Sequence, residues 1–170
     1  MPVEMGQVTS LADVLLQDHF EFLIPNVPGG ADGQILSVLN MSAILPGRAN
    51  NQVQIELHRH KANFAGKRTF GHTFNATYVD TKERAVIGGF HNWQNMQTDQ
   101  ATGLPRPSTD YKTTGIVRLY GADNQIVEER QFFGLFVNSV NEVALSGSSN
   151  SAIAWSIGFT YDYWLPLGVS

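Results

Sequence analysis

The sequence predicts a β-dominated α+β fold, a two-sheet β-sandwich or barrel with one flanking α-helix, built as a single domain over residues 1–170. Three observations carry this reading. Near the C-terminal end Ile153, Trp155, Ile157, Phe159, Tyr161 and Tyr163 fall on alternate positions, with Ala154, Ser156, Gly158, Thr160 and Asp162 between them. Successive strand side chains point to opposite faces, so this is one long strand with a large apolar face and a small or polar one, central to a sheet. About seven strand-like segments are spaced along the chain between Gly-, Pro- and Asn-containing turns. A single stretch has helical period instead, which sets the class.

The elements follow in order. Ser10, with Asp13 three positions on, can cap a short helix through Leu16. Phe20, Phe22 and Ile24 alternate with His19, Glu21 and Leu23 as a first strand, ended by Pro25 and Pro28. Residues 35–44 are apolar on both parities, which suits a strand buried on two sides, although a helix fits the same pattern. Val53, Ile55 and Leu57 alternate with Gln52, Gln54, Glu56 and His58 as a half-buried strand. The aperiodic, basic stretch through Arg68 then leads to a strand with Phe70, Phe74, Ala76 and Tyr78, so this region is a long hairpin arm or a broad surface loop.

Asp80 and Glu83 have the spacing of a capping box. Val86, Phe90, Trp93 and Gln97 form the helical stripe behind it. Gly88-Gly89 costs such a helix roughly 1–2 kcal/mol in propensity and implies a close approach to the sheet. Residues 98–110 read as a loop, 113–120 and 126–137 as an antiparallel pair around the turn 121–124, and 146–151 as a flexible connection into the last strand.

Composition bounds the function. Hydrophobic residues at 42% suffice for one core, while charged residues are only 15% against roughly 25% in typical soluble domains. Cover by other copies of the chain would explain that depletion. A β-rich monomer with uncharged polar loops explains it equally well. The net charge of −4 argues against general affinity for nucleic acid. Seven of the 11 Lys and Arg residues nevertheless lie between Arg48 and Arg84. The absence of cysteine removes disulfides, thiolate nucleophiles and cysteine-ligated zinc, and fits a reducing compartment. Glu4 stands where a signal peptide would be basic, and no 18-residue apolar run predicts membrane insertion.

Few residues suggest chemistry. His58 and His60, two apart on a strand, would share a face and could begin a metal site. A carboxylate should follow, but Lys61, Ala62 and Asn63 do, and Arg59 and Lys61 would repel a cation. Solvated or interface histidines are the favoured reading, with a small cupin-like metal-binding protein as an alternative. Glu128 and Glu129 are adjacent on a strand, face opposite ways and cannot share a site. No phosphate loop, nucleophile elbow or HExxH is present, so no catalytic residue, cofactor or metal is assigned.

In order and spacing, the elements resemble tail tube proteins of contractile-tailed bacteriophages over nearly the whole chain. The matching pieces are Phe20-Glu21-Phe22-Leu23-Ile24-Pro25, Ile44-Leu45-Pro46-Gly47, the Trp93 helix with Gln100-Ala101-Thr102-Gly103, Gly115-Ile116-Val117-Arg118-Leu119-Tyr120, and the strand through Trp164. The basic segment with His58, His60, Lys67 and Arg68 departs from that pattern. The resemblance implies hexameric rings stacked into a hollow tube within a contractile sheath, a virion component assembled in the host cytoplasm. Its partners would be further copies, the sheath, the baseplate or tube initiator, and the tail terminator, and double-stranded DNA would pass without specific binding. Tube proteins of type VI secretion and of extracellular contractile injection systems are the related alternative. On this reading His58, His60, Lys61, Lys67 and Arg68 contact a neighbouring subunit or ring. Glu128, Glu129 and Asp162 are candidates for the tube lumen.

Overall fold

In chain order, the described residues of the computed structural model, 15–168, form β1 (Phe20–Leu23), α1 (Gly33–Val38), β2 (Asn40–Ser42), β3 (Arg48–Leu57), β4 (His60–Phe70) and β5 (Thr73–Val79). There follow α2 (Ala85–Asn95), α3 (Ser108–Tyr111), β6 (Thr113–Tyr120), β7 (Ile126–Val140), β8 (Ala154–Thr160) and β9 (Tyr163–Leu167). Seven strands make one antiparallel, barrel-like sheet in the order β1-β6-β7-β8-β5-β2, with β9 paired to β7. β3 and β4 make a separate two-stranded sheet. The β-dominated, two-sheet class with α2 as its flanking helix is therefore what the chain adopts. The expected helix from Ser10 lies outside the described residues, apart from Leu15 and Leu16, which are not helical.

The single terminal strand read from the sequence is two strands. β8 pairs with Phe136–Val140 of β7, and β9 with Glu129–Phe133 of the same strand. Between them the chain steps from one half of β7 to the other, with the Tyr161 amide donating to His72 O and the Asp162 amide to Phe133 O, each at 2.9 Å. The step reverses the parity. Ile157, Phe159 and Tyr161 face inward as expected, but Trp164 is buried while Tyr163 is exposed and stacks on Phe133 at 4.8 Å. Gly134 makes the matching adjustment on β7. Its φ of +67° is open to glycine, and a Cβ there would run into the Asp162 carboxylate. The register shifts beside it, between Gly115↔Phe132 and Thr113↔Leu135, so Phe132 and Leu135 both point into the core.

That core is aromatic. Phe74 stacks on Phe132 at 4.9 Å, Phe22 meets Phe159 edge-on at 5.5 Å, and Tyr161 lies edge-on to Phe132 at 5.1 Å. α2 seals it with Val86, Ile87, Phe90 and Trp93, and Phe90 packs on both Tyr78 and Phe159. The indole Nε1 of Trp93 donates to Tyr111 O at 2.7 Å. Asp80 does serve this helix, accepting from the Val86 and Ile87 amides at 3.2 and 3.1 Å, but Glu83 does not close a capping box. Arg84, at φ +56°, occupies the cap position, so the helix starts later than the spacing suggests. The close approach is also narrower than expected. Only Gly89 is crowded, and by Ala31 in the loop before α1 rather than by the sheet.

Residues 35–44 are a helix and a short strand, not one strand buried on both sides. Asp32 caps α1 by accepting from Gln34 N at 2.9 Å, and Gly33 sits so close to Ile24 O that no side chain would fit. Leu36 points inward while Val38 is left in solvent. Within 98–110, α3 adds one helical turn to the expected loop. No described helix is long and apolar enough to cross a membrane.

Candidate functional site

The feature that stands apart from the barrel is the β3–β4 ribbon. Val53, Ile55 and Leu57 do alternate as a strand, but every residue of β3 is exposed, so the half-buried reading fails among the described residues. The hairpin-arm reading is the one realised, with the aperiodic basic stretch itself forming the return strand β4. His58 and Arg59 make a two-residue turn with φ of +45° and +72°, the left-handed pair that matches strand twist in a tight hairpin. Register pairs Leu57 with His60, Ile55 with Ala62 and Val53 with Phe64, and opposed residues share a face. One face of the arm is therefore apolar. The other carries Glu56 with Lys61, joined by an ion pair at 2.9 Å, and Gln54 with Asn63.

The basic candidates divide into two places. His58, His60 and Lys61 are at the tip, and Lys67 and Arg68 lie at a register shift where Arg68 pairs with Asn50. Seven strand positions separate Leu57 from Asn50, about 23 Å at the usual rise. His58 is a turn residue and His60 begins the return strand, so the shared strand face expected for a metal pair does not form. No group of three or more potential ligands gathers among the described residues.

The arm is gripped at its root by residues the sequence reading did not single out. Arg48 opens β3, Phe70 closes β4, and the two are register partners. Both lie against Trp164, the Arg48 guanidinium 5.2 Å and the Phe70 ring 6.2 Å from the indole. Arg130 lies 4.5 Å from the same indole and donates to Pro46 O, and Trp164 Nε1 donates to Gly47 O at 3.3 Å. Gly47 and Trp164 are 117 residues apart, and no local pattern links them. The only sequence signal was Trp164 itself, a large aromatic breaking the alternation.

The three lumen candidates all have cation partners. Glu128 pairs with Arg130, two positions along the same face of β7. Glu129 faces Arg118 across the β6–β7 ladder at 3.3 Å, and Asp162 meets Lys112 at 2.9 Å. Glu128 and Glu129 thus serve different partners on opposite faces, as adjacent strand residues must. Arg118 also reaches Glu21 at 3.2 Å, and Glu21 accepts from the Tyr120 hydroxyl at 2.7 Å. Burial works against charge on Glu21, but these hydrogen bonds and the arginine's charge outweigh it and hold the carboxyl below its ordinary value.

By sequence, no family model and no curated protein matches the chain. Solved structures match in shape. The anti-feeding prophage cap, a tube terminating cap, has a TM-score of 0.68 at 12% identity over 93% of each chain. The sheath/tube terminator of the extracellular contractile injection system PVC, in its extended state, has a TM-score of 0.65 at 10% identity over 94% of this chain and 100% of that one. A chain of the PVC sheath-tube complex gives 0.61 at 10% identity over 99% and 100%. The chain therefore has the fold of these components of contractile injection systems, end to end, and it is the tail-tube fold that its elements resemble.

Proposed function

We propose that the chain is a structural, non-enzymatic protein whose hexameric rings stack into the hollow tube of a contractile tail, through which double-stranded DNA is delivered. The observation that carries this is the fold likeness, which spans nearly the full length of both partners. The arm supports it independently. A two-stranded ribbon is marginal alone, and among the described residues nothing covers this one's apolar face or pairs with either outer backbone edge, as suits an element completed by another copy. On this reading the apolar face and the basic residues His58, His60, Lys61, Lys67 and Arg68 meet a neighbouring subunit or ring. The sheath, the baseplate or initiator and the terminator are the other partners, in a particle assembled in the host cytoplasm.

A conducting tube must not hold its cargo, because every phosphate contact adds affinity. Six chains of −4 carry about −24 per ring, a field that repels DNA. Because Glu128, Glu129 and Asp162 are each paired internally, a negative bore would rest on that net charge more than on these three side chains.

The likeness to tube terminators favours a second reading, a terminating ring or a tube component of an extracellular contractile injection system. Light scattering over a concentration series with negative-stain microscopy tests both. Long hollow tubes are expected of a repeating tube protein, and isolated rings of a terminator. An obligate ring contact should bury on the order of 2,000 Å² or more. A monomer at every concentration, at neutral pH and modest salt, would refute both readings.

A further inference from the structure

We propose that Arg130, braced by Glu128, is a positioning residue that fixes the direction in which the β3–β4 arm leaves the barrel. Among the described residues the arm joins the barrel at its two strand ends, and both ends converge on one side chain. Arg48 and Phe70 each pack on Trp164, at 5.2 and 6.2 Å. Trp164 is a fixed point, 4% exposed and paired through β9 with Phe132 in the centre of the core. Arg130 completes the joint from the barrel side. It lies over the same indole at 4.5 Å, and it hydrogen-bonds to Pro46 O, two residues before the arm begins.

Two guanidinium groups on one indole repel each other, which would work against the joint. Glu128 offsets that repulsion by pairing with Arg130. Arg130 is only 18% exposed, and its side chain is taken up by Glu128, the Trp164 indole and Pro46 O. It ties the Pro46 carbonyl to the indole, which restrains the angle at which the chain enters β3. A lever makes that angle matter. Ten residues of β3 reach about 33 Å, so a rotation of about 10° at the root would move the tip by about 6 Å. Complementary packing tolerates far less than that.

The consequence for assembly rests on the proposed function; the positioning itself does not. The chain has no cysteine, so two introduced ones report alone. Asn63→Cys on the polar face of the arm and Val38→Cys on α1, which is 83% exposed, carry nitroxide labels, diluted with unlabelled protein. Pulsed electron resonance should give one narrow distance distribution in the parent and one at least twice as broad in Arg130→Gln. Arg130→Lys, which keeps the charge, should recover much of the narrow distribution. Arg48→Gln, an exposed change that leaves the barrel folded, should broaden it as well. The melting midpoint of the barrel should move little, whereas a merely structural role would lower the midpoint and leave the width alone. An unchanged width in both glutamine variants overturns the proposal, as does slowed tube assembly at unchanged width. A broadened distribution with normal tubes supports the positioning role and overturns the arm's part in assembly instead.

Discussion

The sharpest test of the arm is to remove its apolar face without touching the barrel. Leu57 and Phe64 lie on that face and are 63% and 55% exposed in the single chain. Changing both to Thr keeps β-propensity on an exposed ribbon while removing most of the apolar surface, so the monomer should keep its stability to within about 0.5 kcal/mol. In an assembly that covers the face, the lost burial is substantial. Full burial of a large apolar side chain is worth about 1.5–3 kcal/mol, and roughly half of each surface remains to be covered here. Each residue then supplies about 1–1.5 kcal/mol, and the pair about 2–3 kcal/mol per contact. That shifts the contact equilibrium by about 30- to 150-fold. A dilution series followed by light scattering should show the onset of assembly displaced to higher concentration by at least that factor, with the melting curve of the dilute protein unchanged. Assembly at parental concentrations would mean that this face stays in solvent, and the reasoning would be wrong.

Four further outcomes are expected. Trp93→Ala should remove about 3–5 kcal/mol of packing, together with the hydrogen bond to Tyr111 O, and lower the melting midpoint; a variant that melts like the parent would unseat α2 as the seal of the core. Lys67→Glu with Arg68→Glu should slow polymerisation in a salt-dependent way while the monomer melts normally, because complementary charge sets encounter and register. Glu21, held below its ordinary value of 4.5, contributes stability that is complete above that value and is lost as pH falls through the lower, folded-state value. Glu21→Gln should cost about 1–3 kcal/mol at neutral pH and flatten the acid limb of a stability–pH curve, and an unchanged limb would exclude the carboxylate as its source. Assembled tubes should show no salt-sensitive binding to double-stranded DNA, measured by filter retention at physiological salt.

Much of this fold was legible because strand alternation reports burial directly. Phe22, Phe74, Tyr78, Phe159 and Tyr161 are inward as their parity requires, and the α2 stripe through Trp93 is buried. Alternation failed where the chain changed register. Apart from Trp164 breaking the alternation, nothing in 152–164 announces the step at Asp162, because the step is made by amides donating to His72 and Phe133, remote in sequence. It failed differently in β3, where the pattern is present but no covering layer lies among the described residues. Val53 and Ile55 look half-buried by sequence because parity reports what a face is made for, and the described residues leave that face open. The root joint was invisible for a plainer reason. Trp164, Arg130 and Arg48 belong to three separate strands, and a contact among them has no period.

β7 is a strand of 15 residues, adjusted at Gly134, and it ties together parts that otherwise have little to do with each other. At one end Arg130 holds the arm root; further along, Val137 O accepts from Gln97 just beyond α2 at 2.6 Å. A pull on the arm enters the barrel through the chain at Gly47 and Gly71 and, by way of the Arg130 contacts, through β7. Antiparallel ladder bonds lie across a strand's axis, so whatever part of the load runs along β7 is shared as shear by its bonds to β6, β8 and β9. The same strand that organises the core is thus the tendon of the molecule, and force applied at the arm's attachment is spread through the barrel instead of being concentrated at its hinge.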